Sequence, residues 1–157
     1  MIASEKRDAI SDLMAEYVQL VDRDKLEEWV NLFTEDCLYK VVPRENVVQG
    51  LPGVLLVCLN RNMVQDRVTS LRVANEFNIH TDKHVVGAPR LTAQADGSVK
   101  AESNYALFQT NQEGESWLFS VGSYEDLIVF EGGKALFKER VVIVDTYAIP
   151  NLLATPI

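Results

Sequence analysis

The most constraining feature of this chain is the change of period halfway along it. Residues 4–22 carry Ile10, Leu13, Met14, Tyr17, Val18 and Val21 at i, i+3, i+4, i+7, i+8 and i+11, one stripe of an amphipathic helix. From residue 85 the chain reads instead as four long β-rich runs, 85–95, 99–110, 117–130 and 136–146, punctuated by Asp96-Gly97, Glu113-Gly114 and Gly132-Gly133. A chain that spends its helices first and its hairpins last folds as α+β, with helices segregated to one face of an antiparallel meander.

Two further helices are expected before the sheet. Asp24 and Glu27 have the spacing of a capping box, ahead of a short stripe of Leu26, Trp29, Val30 and Phe33. Met63, Val64, Val68 and Leu71 mark a third helix over 61–74, with Arg61, Arg67 and Arg72 on its other faces. Between them, residues 37–43 read as a first or edge strand closed by Pro43, and Gly50, Pro52 and Gly53 as a loop. Within the third β run, Trp117, Phe119 and Val121 alternate with Ser120, Gly122 and Tyr124, which predicts one face more apolar than its reverse. Gly87 and Gly122 interrupt strands, as bends do, and let a sheet curl. The expected architecture is a cone: a strongly curved antiparallel sheet with the N-terminal helices closing its concave face, as a single domain over 1–157.

Charge narrows the function classes. Fifteen Lys and Arg against 23 Asp and Glu leave a net charge of −8, which repels a phosphate backbone and an anionic bilayer alike. The longest apolar run, residues 54–59, is far short of the ~20 residues a membrane helix needs, and the N-terminus lacks a signal-like apolar segment, so a cytoplasmic location is expected. Cys37 and Cys58 sit in apolar surroundings and read as core thiols.

Metal donors are sparse. The two histidines, His80 and His84, straddle a loop–strand junction rather than one helical face, and neither cysteine has a histidine beside it as a Rieske cluster requires. A mononuclear iron site would consume both histidines and still lack a suitably spaced carboxylate. Nucleotide cradles and the Gly-x-Ser-x-Gly elbow are absent. Acid–base chemistry remains open: Asp36, Tyr39, His84 or Tyr124 inside an aromatic cone are candidate proton-transfer groups, and equally candidate strand-end and core polar residues. Asp66, Arg67, Arg72 and Glu76 read as a salt-bridged helix face, or as an interface, since guanidinium binds carboxylates bidentately.

Several segments, in order, carry a family resemblance: Leu32-Phe-Thr-Glu-Asp-Cys-Leu-Tyr-Lys-Val41, Asp66-Arg-Val-Thr-Ser-Leu-Arg72, Lys83-His-Val-Val-Gly-Ala-Pro89, Gly122-Ser-Tyr-Glu-Asp126 and the tail Lys138-Glu-Arg-Val-Val-Ile-Val-Asp145. From about residue 10 onward the chain resembles the small (β) subunit of aromatic-ring-hydroxylating dioxygenases, in the branch that serves aromatic carboxylic acids such as terephthalate, salicylate, anthranilate or halobenzoates. The resemblance implies a cone of the nuclear-transport-factor and scytalone-dehydratase type. It also implies a large α subunit carrying a Rieske [2Fe-2S] cluster and mononuclear Fe(II), NADH as electron source through a reductase, and a homotrimer of small subunits beneath three large ones in a hetero-hexamer. It transfers no catalytic residue. Asp36, Arg67, Arg72, His84 and Tyr124 match recurrent positions, expected to serve as strand-end, interface or intra-cone hydrogen-bonding groups. The rival reading is a free-standing isomerase or dehydratase that pairs His84 with Asp36 or a tyrosine in an open cavity.

Overall fold

A computed structural model describes residues 1–73, 79–146 and 155–157; Glu76 lies outside them. Helix α1, Ser4–Asp22, buries Ile10, Leu13, Met14, Tyr17 and Val21, five members of the predicted stripe, while Val18 is half-buried. It leads through a tight turn to α2, Leu26–Trp29, and a 3-10 turn, Val30–Leu32. The capping box is not formed. Asp24 takes a left-handed conformation, φ 57°, to turn the chain, and the cap of α2 is Lys25, whose side chain makes no capping bond. Asp and Asn reach this region more readily than most side chains because their short polar groups bond locally. The carboxylates of Asp24 and Glu27 are instead both taken by Arg72.

Strand β1 runs over Phe33–Pro43, four residues earlier than the sequence pattern suggests, followed by α3, Arg44–Gln49, β2, Leu56–Cys58, and α4, Arg61–Val73. Helix α3 buries none of its residues, so it has no apolar stripe by which sequence reading could find it. Helix α4 starts at Asn60, whose side-chain oxygen accepts the Met63 amide at 2.9 Å, and it buries Val64, Val68 and Leu71.

The remaining strands are β3, Thr81–Val86, β4, Arg90–Ala93, β5, Val99–Thr110, β6, Ser116–Glu131, and β7, Lys134–Val144. The run expected as one strand over 85–95 is two, because the chain leaves the ladder at Gly87-Ala88-Pro89 and Pro89 has no amide to donate. Both pieces pair antiparallel with β5, at its two ends. The sheet order is β2-β1-β7-β6-β5-β3, with β4 also on β5. It is mixed rather than antiparallel throughout: β1 pairs with β7 in parallel, since the two are joined by a long crossover rather than a hairpin.

Curvature has visible causes. A bulge between Leu107 and Phe108 on β5 sets Phe119 of β6 outside the ladder, and a second interrupts β6 and β7 at Leu127. The first bulge overturns the alternation expected in β6. Beyond it the buried face carries Ser120, Gly122, Tyr124, Asp126 and Ile128, while Trp117 and Val121 are only half-buried. Gly122 is a close-approach glycine: a Cβ there would collide with the Ile143 carbonyl oxygen and the Tyr105 ring, which lies 2.9 Å away. The helices close over this concave face, and one contiguous core of apolar side chains fills the interval.

Candidate functional site

The concave face is where this architecture can enclose a ligand, and two inward-pointing strands put opposite charges there. Asp126 of β6 and Arg140 of β7 are register partners on the buried face. Arg140 Nε donates to Asp126 Oδ1 and Nη2 to Oδ2, both at 2.8 Å, a bidentate pair whose side chains are 1% and 0% exposed. The guanidinium lies 4.0 Å from the Tyr17 ring centroid, 4.1 Å from Tyr124 and 4.3 Å from Phe137. Burial works against the Arg140 charge, but the Asp126 carboxylate more than offsets it and holds the guanidinium above its ordinary pKa. Burial raises the Asp126 carboxyl, opposed by the Arg140 charge and its hydrogen bonds, and the pair sits inside a wall of π faces.

Around it the aromatic rings interlock edge to face. Trp29 sits 5.1 Å from Phe33 and 5.6 Å from Tyr39, Tyr17 sits 5.5 Å from Phe137, and Tyr124 stacks on Tyr105 at 4.7 Å. Burial raises the hydroxyl pKa of Tyr17, carries those of Tyr39 and Tyr124 well up, and pushes Tyr105 up to about 12. All four stay protonated at neutral pH, so they serve as hydrogen-bond donors and not as bases.

Residues 155–157 close the mouth. Ile157 is wholly buried; its main-chain oxygen accepts from Tyr17 at 2.8 Å and Tyr39 at 3.2 Å, and its amide donates to Tyr39 at 3.1 Å. Thr155 donates to Asp82 at 3.1 Å. The space left between Trp29, Tyr39, Val64, Arg67 and Pro156 amounts to ≈ 10 Å³, about one water.

The residues singled out from sequence do not converge. Asp36 is an exposed surface group, held by Lys138 at 2.5 Å and Thr34 at 3.0 Å, and the Lys138 bond lowers its pKa. Arg72 bridges Asp24 and Glu27 across the α2–α4 seam. Arg67 borders the small residual cavity. His84 is buried on β3, but its partner is not Asp36 or a tyrosine: Asp22, the last residue of α1, accepts the His84 amide at 2.9 Å and meets Nδ1 at 2.5 Å. Tyr124 alone of the five faces the central ion pair.

Sequence reading missed Arg140, Asp126 and Asp22. A signal existed for Asp126, whose i±2 neighbours Tyr124 and Ile128 both face inward; Arg140 has an inward neighbour only in Val142, because the register shift turns Lys138 out to Asp36.

The donors for iron are not assembled. Among the described residues no three His, Cys, Asp or Glu side chains converge as a metal site. The thiols of Cys37 and Cys58 are free and buried, and burial pushes Cys37 up to about 11 and also raises Cys58. Among the described residues the donor set that a Rieske cluster or a mononuclear iron needs does not come together.

Comparison with known proteins places this geometry. The SnoaL-like domain family matches residues 3–141. The small subunit of anthranilate 1,2-dioxygenase from Burkholderia cepacia is 43% identical over 145 residues, covering 92% of this chain and 90% of that one. A crystal structure from Novosphingobium aromaticivorans, described as the β subunit of an aromatic-ring-hydroxylating dioxygenase, superposes with a TM-score of 0.88 at 41% identity and covers 97% of each chain. A chain of the same organism described as a scytalone dehydratase superposes with a TM-score of 0.71 over 93% of this chain and 90% of that one; at 18% identity the likeness is one of fold.

Proposed function

Because the chain belongs to the family of small (β) subunits of aromatic-ring-hydroxylating dioxygenases, we propose that it is the metal-free structural base on which an iron-bearing α subunit is mounted. It is the β subunit of an oxidoreductase complex of aromatic catabolism, and such a subunit works with an α-subunit partner. Within that frame, the α subunit holds the Rieske [2Fe-2S] cluster and the mononuclear Fe(II), electrons arrive from NADH through a reductase, and three copies of this chain form a trimer beneath three α subunits in the cytoplasm. The ring substrate is an aromatic carboxylic acid, in keeping with the similarity to an anthranilate dioxygenase subunit. Among the described residues no helix is long and apolar enough to cross a membrane.

The observation that carries the structural role is the filled cone. The Arg140–Asp126 pair, its aromatic wall and Ile157 occupy the concave face, and His84 gives its amide and Nδ1 to Asp22 at the end of α1 rather than to Asp36 or a tyrosine. Coexpression with a large (α) subunit of the same family tests this. The expected result is a single complex on a sizing column with all iron in the large subunit; two separate peaks, or stoichiometric iron in the small chain, would overturn it.

A further inference from the structure

The segment that closes the cone is bonded as a ligand would be, and the cone holds more donors than it uses. Ile157 presents an apolar side chain to the core and one oxygen to two convergent hydroxyls, those of Tyr17 and Tyr39. Three further donors lie buried in the same aromatic cluster without a hydrogen-bond partner among the described residues: Trp29 Nε1, Tyr124 Oη and Arg140 Nη1. Leaving such groups buried and unsatisfied costs stability. Natural interiors seldom carry three together, so each such group asks for an explanation, and a site for an exchangeable occupant is one.

We propose that residues 155–157 act as a displaceable internal plug over a binding site for a small apolar molecule bearing an sp² acceptor oxygen, a carboxylate, amide or ketone on a compact hydrocarbon body. The oxygen takes the place of the Ile157 oxygen between Tyr17 and Tyr39, and the body replaces the Ile157 side chain in the apolar core that Trp29 shares. Any further acceptor on the guest reaches the spare donors, which the tail leaves unused. The site lies on this chain alone, so its test is independent of α-subunit assembly.

The test uses the full chain in a Trp117→Phe background, which leaves Trp29 as the sole indole reporter, titrated with benzamide, benzoate and toluene. Because apparent affinity scales with the fraction of unplugged molecules, Ile157→Gly should bind benzamide or benzoate about tenfold or more tighter than the parent. Adding Tyr39→Phe should abolish the gain. Which of the two probes binds decides whether the site admits an anion. Toluene binding as well as either, with no dependence on Tyr39, would overturn oxygen recognition, and so would a folded Ile157→Gly chain that binds none of the three. If Ile157→Gly does not fold, the parent titrated to tens of millimolar must still show saturable quenching of Trp29 by benzamide or benzoate, and its absence overturns the proposal.

Discussion

At the scale of single residues, the Arg140–Asp126 pair is the most consequential contact in the molecule. Two charges removed from water are tolerated because each carboxylate oxygen meets a guanidinium N–H and three ring faces line the cation. Removing one partner strands the other. Arg140→Met is expected to cost about 3–5 kcal/mol of stability in chemical denaturation, while Arg140→Met combined with Asp126→Leu should recover most of that loss. A double variant as unstable as the single would show that the pair is not the source of the cost. Gly122 makes the opposite point, that absence of an atom is structural. Gly122→Ala should destabilise by about 1–3 kcal/mol or more, because neither the Ile143 carbonyl nor the packed Tyr105 ring can yield freely.

At the scale of elements, two polar contacts decide how the helices sit on the sheet. Asp22 and His84 fasten the end of α1 to β3, and Asp22→Ala should lower stability by about 1–3 kcal/mol by leaving a buried imidazole unbonded. Arg72 fastens α4 to the α1–α2 turn through Asp24 and Glu27. Its hydrogen bond lowers the Glu27 pKa from 4.5 to about 2. A carboxylate with a depressed folded pKa stabilises above its unfolded value, and that contribution drains away as pH falls from about 4.5 to about 2. Arg72→Gln should therefore flatten the acid side of the stability profile over that window, read as denaturation midpoints at pH 6, 4, 3 and 2. Both residues are solvent-exposed, so high salt should shrink the same difference.

At the scale of the whole molecule, the filled cone and the scattered donors among the described residues support the proposed role as shape and contact surface. The isolated protein is expected to carry no stoichiometric iron by elemental analysis, and EDTA should leave its thermal midpoint unchanged. A chelator-induced fall would point to a structural metal that the donor geometry does not supply.

Periodicity alone determined that helices come first and a hairpin sheet last, because an apolar stripe or alternation is a local property of the chain. Net charge and the poverty of metal donors are likewise readable without coordinates. The ordered family-like segments named the small-subunit resemblance. What tertiary structure decided was which groups meet. The β5–β6 bulge reversed the buried face of β6, the long crossover made β1 parallel to β7, and Asp22 rather than Asp36 reached His84. These are consequences of register and of contacts between residues far apart in the chain, where shifting one strand by a single residue exchanges the inside for the outside.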